Sequence, residues 1–357
     1  MTRAEALGWG RARLAASPSA SPGPGQNAAQ DPSPTPSLDA SLILASILGL
    51  RREALLSSLN VYLEAAPLAR FEKAISQRVE GKPVAYITHE KEFFGRSFFV
   101  NEDVLVPRPD TELLVELALE LGDRLAALRG RPPRIHECCV GSGAVALSIA
   151  AERPSWVLSA SDLSAAALDV AARNALRLLP SEREGGKLGL FLADLLTPPL
   201  GAPAAIPAAA APPAALPAAT ATPAASPGVA ISAANPVAVT RVAVTPAAAA
   251  PLPTATTPFD LILANPPYVE SPLARELSER WGEPLVALDG GNDGLDLIRR
   301  LVLEAVARLA PGGCLLIEAD GSQAAALRRL FAEAGLADAR SERDLGGIER
   351  VTIGVQP

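Results

Sequence analysis

The sequence predicts an α/β fold: a doubly wound sheet of parallel strands, preceded by a small all-helical domain and a linking β-hairpin. Three observations lead there. Strand-like and helix-like segments alternate from residue 134 to residue 318, the first strand runs into a glycine turn, and acids end successive strands.

In chain order, residues 17–37 are Ser, Pro, Ala and Gly in low-complexity order, and residues 1–37 are expected to form a disordered extension. From residue 38 the pattern changes. Leu42, Ile43, Ile47 and Leu48 recur at helical spacing, and residues 52–59 and 67–79 continue it, so a helical domain is expected over 38–90. Asp39 or Ser37 is expected to cap its first helix, and Pro67 suits the opening of a later one. Two aromatic-rich runs flank Gly95, which predicts a hairpin inside a linker spanning 91–106. Residues 113–128 have the period of an amphipathic helix and fall in a second domain, 107–357. Strands are then expected at 134–139, 157–161, 188–193, 259–264 and 313–318, with helices at 145–152, 165–178 and 295–309. Residues 197–258 interrupt the alternation with Ala, Pro, Thr and Val. Prolines recur too often there for a helix or a central strand, so a disordered surface excursion is expected.

Composition narrows the function classes. A net charge of -7 argues against a broad nucleic-acid surface. Cys138, Cys139 and Cys314 lack metal-ligand spacing and are accompanied by two histidines, so neither a metal site nor a disulfide framework is expected. No run of about 18 strongly apolar residues lacks proline or charge, and the N-terminus has no apolar signal core. A cytoplasmic protein of reducing surroundings, with no membrane partner, is the expectation.

The first chemical constellation is Glu137-Cys138-Cys139-Val140-Gly141-Ser142-Gly143, a strand entering a glycine turn ahead of a helix. Such a turn lets backbone approach a ligand and offers unpaired N–H groups. Asp162 ends the next strand, where an acid can hold both hydroxyls of a ribose. Asp194 ends the strand after it. Together they suit a nucleoside with a charged tail, although either acid could equally cap a following helix.

The second constellation is Asn265-Pro266-Pro267-Tyr268, at the end of an apolar strand that the prolines must terminate. The Asn265 side-chain oxygen and the Pro266 carbonyl could accept both hydrogens of an –NH2 group, and Tyr268 offers an aromatic face to a planar acceptor. Pro-Pro-Tyr is also an interaction peptide, but such peptides sit in disordered segments rather than at the end of a core strand.

With further blocks the chain resembles the release-factor glutamine methyltransferases from residue 38 to its end, the insertion excepted. Those blocks are Pro107-Arg108-Pro109-Asp110-Thr111-Glu112, Leu288-Asp289-Gly290-Gly291, Pro311-Gly312-Gly313 and Asp344-Leu345-Gly346-Gly347-Ile348-Glu349-Arg350. The resemblance implies a Rossmann-like methyltransferase sheet and methylation of the glutamine amide in the Gly-Gly-Gln loop of peptide-chain release factors. The implied methyl donor is S-adenosyl-L-methionine, bound by Glu137, Cys139, Val140, Gly141, Ser142, Gly143, Asp162, Asp194, Leu195 and Asn265. Asn265, Pro266 and Tyr268 are the implied catalytic residues, with Pro267 joining them in binding substrate, and the helical domain grips the protein substrate. A monomer without stable nucleic-acid partners is expected. The chain departs from the family at His89 and Cys139, where glycine is usual, at Glu137, where Asp is commoner, and at Leu195. Neither His89 nor His136 clusters with other chemical groups, and both read as structural. Two rivals stand beside this reading: an amino-methyltransferase acting on an exocyclic base nitrogen of RNA or DNA, and a non-enzymatic adaptor that uses the proline-rich insertion.

Overall fold

A computed structural model of the chain describes residues 1–16, 35–179, 187–197, 206–207 and 258–357. Contrary to the expectation for residues 1–37, Arg3–Ala15 form helix α1. It opens on a capping box in which Thr2 Oγ1 accepts the Glu5 N–H at 3.2 Å and the Glu5 carboxylate accepts the Thr2 N–H at 2.8 Å. Ala6, Gly10 and Leu14, four residues apart, lie on its buried side, so this stretch is amphipathic despite its alanine content. The rest of the expected disorder, residues 17–34, lies outside the described residues.

Helix α2 spans Pro36–Leu48, α3 Arg52–Leu56, α4 Ala65–Val79 and α5 Val84–Thr88. Ala6 and Leu14 pack with Ile43, Leu44, Leu55, Phe71 and Ile75 in one core. Ser37 and Asp39 do not cap α2. Thr35 is its N-cap, Pro36 opens it, and Asp39 instead forms a nearly buried ion pair with Arg78 at 2.9 Å. Pro67 sits in the first turn of α4, where its missing N–H costs nothing.

The hairpin forms as β1, Glu90–Phe93, and β2, Arg96–Phe99. Its two-residue turn places Phe94 at φ 50° and Gly95 at φ 68°, the doubly left-handed geometry that matches strand twist. Phe93 and Phe98 are buried in the core of the following domain, so the hairpin is part of that domain's packing.

The main sheet contains β3 (Arg134–Cys138), β4 (Val157–Asp162), β5 (Lys187–Leu192), β6 (Ile206–Pro207), β7 (Phe259–Ala264), β8 (Leu309–Glu318), β9 (Ala337–Arg343) and β10 (Glu349–Val355), in the order β6-β5-β4-β3-β7-β8-β10-β9. Strands β5, β4, β3, β7 and β8 run parallel. These five include every strand expected of this sheet from the sequence, and the strands added at the edges pair antiparallel. β10 is antiparallel to both β8 and β9, and the two-residue β6 is antiparallel to β5. Apart from Thr197, Pro258 and β6, the proline-rich stretch 197–258 lies outside the described residues.

Helices cover both faces, as strands buried on two sides require. Leu261, Leu263 and Leu316 point into the core that includes residues of α6 (Glu112–Arg129), α7 (Ala144–Glu152) and α8 (Ala165–Leu178). Ile262, Ala264, Leu315 and Ile317 point into the opposite core, with residues of α10 (Asp296–Val306) and α11 (Ala324–Glu333). Helix α9, Ser271–Trp281, follows the Pro-Pro turn. β3 has β4 on one side and β7 on the other, so the strand order reverses there. In open α/β sheets that reversal leaves a crevice beyond the carboxyl ends of the strands.

Candidate active site

A cavity opens at that crevice. It is lined by Glu137 at the end of β3 and Cys139, Val140, Gly141 and Ser142 after it, Asp162 at the end of β4, Asp194 and Leu195 after β5, and Asn265 and Pro267 after β7. Gly143 does not line it but begins α7 with φ 82°. Pro266 and Tyr268 border a smaller neighbouring cavity with Glu318, Arg350 and Trp281, and Asn265 is on the wall of both. The structure therefore gathers the expected residues into two adjoining spaces that share Asn265.

On the first side, Asp162 binds the turn directly. One carboxylate oxygen accepts the Gly141 N–H at 2.8 Å and the other accepts the Ser164 N–H at 2.9 Å. Ser164 is the side-chain N-cap of α8, so Asp162 is not itself the cap. Burial pushes the Asp162 carboxyl above its ordinary value, opposed by these N–H bonds. Glu137 is buried and accepts the Ala146 N–H at 2.7 Å, which ties β3 to α7; burial drives its carboxyl well up. Among the described residues Asp194 caps no helix. It pairs with Arg300 at 2.8 Å.

The departures from the family pattern have a backbone meaning. Cys139 has φ 59°, His89 φ 55° and Leu195 φ 57°, all in the left-handed region that disfavours side chains. At Cys139 and His89, where the resemblance leads one to expect glycine, the backbone holds a conformation that suits glycine. Burial raises the Cys138 and Cys139 thiols above their ordinary values. His136 is structural. Burial lowers its imidazole to about 3, so it is neutral, and it lies between Ser159 Oγ at 2.8 Å and Ser161 Oγ at 3.0 Å. Ser161 donates on to the Leu195 carbonyl at 2.7 Å, so this polar row anchors the strained residue beside the cavity.

On the second side, the Asn265 amide is held from two distant segments. Its Nδ2 donates to Thr111 Oγ1 at 3.1 Å and to Glu318 Oε1 at 3.0 Å, and Thr111 Oγ1 donates to the same Glu318 oxygen at 3.0 Å. Glu318 is buried at the end of β8. Burial lifts its carboxyl to about 7, with Asp110 adding to the rise and Thr111, Arg350 and Asn265 opposing it. Burial likewise raises the Tyr268 phenol, so it stays neutral and presents an uncharged ring to the smaller cavity.

The Pro107-to-Glu112 block connects this wall to the rest of the molecule. Arg108 makes a two-pronged pair with buried Glu283 at 2.9 and 2.7 Å, Asp110 meets Arg350 at 3.1 Å, and Glu112 accepts the Phe94 N–H of the hairpin turn at 2.8 Å. Asn174 of α8 joins the hairpin to the glycine turn, bonding both backbone groups of Phe99 and the Ser142 carbonyl. Behind the prolines, a Cβ on Gly290 would stand 2.7 Å from Tyr268 Cα and 2.8 Å from the Pro267 carbonyl, so glycine is needed for this loop to abut the Asn-Pro-Pro-Tyr turn.

Thr111, Glu318 and Asn174 are the site residues that sequence reasoning missed. A signal existed for one of them. Glu318 is an acid ending an apolar parallel strand, the same sign that drew attention to Asp162 and Asp194. Thr111 lies in the Pro107-to-Glu112 block without a role of its own, and nothing local marks Asn174; their partners lie 207 and 75 residues away.

Residues 5–88 match the PrmC N-terminal domain. The chain is 37% identical over 327 residues to the release factor glutamine methyltransferase of Burkholderia pseudomallei, covering 91% of this chain and 94% of that protein. It is 34% identical over 323 residues to the enzyme of the same name from Bordetella pertussis, covering 89% and 94%. Among solved structures it is similar to the release factor-specific protein-(glutamine-N5) methyltransferase of Alicyclobacillus acidocaldarius, with 23% identity, TM-score 0.33, and 72% of this chain and 99% of that one covered.

Proposed function

The chain belongs to the release factor glutamine methyltransferases, and we propose that it carries out the reaction of that family, transferring a methyl group from S-adenosyl-L-methionine to the glutamine side-chain nitrogen of the Gly-Gly-Gln loop in peptide-chain release factors. The observation that carries this reading is the shared wall at Asn265: a space edged by strand-end carboxylates on one side and by the Asn-Pro-Pro-Tyr turn on the other.

The residues of the larger cavity fit the donor. A Cβ placed on Gly141 meets no atom within 4 Å, so the turn leaves open space for a ligand to approach its backbone. Asp162 and Asp194 are suited to the ribose hydroxyls and the adenine edge, and the turn through Cys139, Val140, Gly141, Ser142 and Gly143 to the methionine portion. Glu137 sets the entry of β3 into that turn, and Leu195 supplies apolar cover for the adenine. When bound, S-adenosyl-L-methionine supplies a methyl group carried on a cationic sulfur.

An amide nitrogen is a poor nucleophile because its lone pair is delocalised, so orientation must do much of the work, and holding reactants in line contributes up to roughly 7–11 kcal/mol. Asn265 Oδ1 and the Pro266 carbonyl accept the two N–H groups of the glutamine amide, while Pro267 and Tyr268 confine its plane. As the nitrogen gains positive charge its two N–H groups become stronger donors to these oxygens, which stabilises the charge where it develops, and one of the two protons is then released to solvent. The helical domain around α1 to α4 grips the release factor. The reaction is read as cytoplasmic and as the work of a monomer; among the described residues no helix is long and apolar enough to cross a membrane.

The test is transfer of labelled methyl from S-adenosyl-L-methionine in parallel reactions with purified release factor, RNA and DNA. Label on the release factor alone is expected. Label on nucleic acid but not on release factor would favour the base-nitrogen rival, and no donor binding by calorimetry would favour the adaptor.

A further inference from the structure

The Asn265 amide can serve as an acceptor only if its oxygen, rather than its nitrogen, faces the substrate. Three observations bear on what decides this. Both Nδ2 hydrogens have partners, one on Thr111 Oγ1 and one on Glu318 Oε1. Thr111 also donates to Glu318 Oε1, so its single hydrogen is committed and only its lone pairs remain for Asn265. Glu318 is 2% exposed, and its other oxygen, Oε2, has no hydrogen-bond partner among the described residues.

We propose that Glu318, through Thr111, is a positioning residue that fixes the direction of the Asn265 amide for methyl transfer. An ionised carboxylate is an acceptor and nothing else. It therefore turns the Thr111 hydroxyl toward itself and presents two acceptors to Asn265, which must answer with its NH2. Rotating the amide by half a turn would set Asn265 Oδ1 against two oxygens and leave buried donors and acceptors mismatched, at a cost comparable to losing a hydrogen bond. Asn265 Oδ1 is thus left for the acceptor –NH2. This proposal rests on the reading of Asn265 as the acceptor-binding residue. It adds that a carboxylate in the second layer sets the polarity of the site, and that the short hydroxyl of Thr111 transmits it from the Pro107-to-Glu112 block.

Glutamine at 318 has nearly the same shape but can present either an oxygen or an NH2, so Glu318→Gln keeps the packing and loses the enforced direction. A protonated Glu318 has the same ambiguity. The carboxyl sits at about 7, with Asp110, Arg350, Arg108, Tyr268 and Asp320 as titratable or charged groups around it. In wild type kcat should fall as pH drops through the neutral range, and in Glu318→Gln that limb should be flat.

The experiment measures kcat, KM for the release factor, donor affinity and melting temperature for the full chain and for Glu318→Gln, Thr111→Val and Thr111→Ser. Expected are kcat values roughly tenfold lower in the first two variants, with KM and donor affinity within about twofold, and near-normal kcat in Thr111→Ser, which keeps the hydroxyl. Glu318→Gln with unchanged kcat and an unchanged pH profile would overturn the proposal, as would parallel loss of kcat, affinity and melting temperature. The variant-to-wild-type ratio is read on whichever acceptor the wild type methylates. An inactive wild type on release factor therefore strikes the substrate assignment, and an unchanged ratio strikes the positioning role.

Discussion

Cys139, Gly141 and Leu195 shape one wall of the large cavity through left-handed backbone conformations, with φ between 51° and 59°. Asn265 on the other wall is held by side chains that arrive from residues 111 and 318. The first wall is made by short-range geometry: a turn, the acid 21 residues on that binds its N–H, and the helix start behind it. The second is made by long-range polar contacts converging on one amide. A backbone-built wall tolerates an unusual side chain at the price of local strain, whereas a wall built by side-chain bonds depends on the identity of each partner. Substitutions should separate accordingly, the first wall governing donor affinity and stability, the second governing turnover.

The sharpest break is Asn265→Ala. Methyl transfer is expected to fall by about 10²–10³-fold, the usual consequence of deleting one charge-stabilising group, while donor affinity measured by calorimetry stays nearly unchanged. Equal losses in both would mean that the two walls are not separable. Next comes Gly290→Ala, which places a methyl group against the backbone of Pro267 and Tyr268. A displacement well under 1 Å should lower kcat by roughly tenfold with donor affinity intact. A wild-type rate would show that this loop does not set the turn.

A third comparison uses pH and stability. Glu318 is raised from 4.5 to about 7 by folding, so the native state binds a proton that the unfolded chain has already released between those values. Its contribution to stability is fully present below about pH 4.5 and is lost as pH rises through about 7, on the order of 3 kcal/mol in all. Glu318→Gln lacks that titration. Denaturant melts at about pH 5 and pH 8 should show the variant gaining on wild type at the higher pH, and parallel behaviour would refute the assignment.

The smallest effect concerns the first wall. Cys139→Gly relieves the roughly 1–2 kcal/mol that the left-handed conformation costs a side chain, offset in part by the entropy of glycine. A gain of up to about 1 kcal/mol in unfolding free energy is expected, with donor affinity unchanged. A loss of stability would show that the packing of the Cys139 thiol outweighs the strain.

What was legible in the sequence follows the same division. The core strand Phe259–Ala264 and the helix Ala165–Leu178 could be read from apolar runs and period because local pattern determines them. The glycine turn after the first strand and the acid at the end of the next were legible for the same reason, since a turn and a strand end are local patterns. The cap of α2 was misread because Ser37 and Asp39 are both good capping residues, and only the structure shows that Pro36 opens the helix before either. Helix α1 was missed because its apolar face is made of Ala6, Gly10 and Leu14, two of which carry little hydrophobic signal. Strand β9 was missed because Ala337–Arg343 exposes mostly polar side chains at the sheet edge and lacks the apolar run of an inner strand. Asn265 was found from its own neighbours, but its hold by Thr111 and Glu318 was not, since no spacing rule joins residues 111, 265 and 318.

The central claim is that the wall around Asn265 delivers a methyl group to one amide nitrogen. Its most direct test is incubation of the full chain with purified release factor and S-adenosyl-L-methionine, followed by fragment mass mapping of the Gly-Gly-Gln peptide. A single added methyl on the glutamine side-chain nitrogen, absent with Asn265→Ala, is the expected result. A methyl on any other residue of that peptide, or an equal yield from Asn265→Ala, would contradict it.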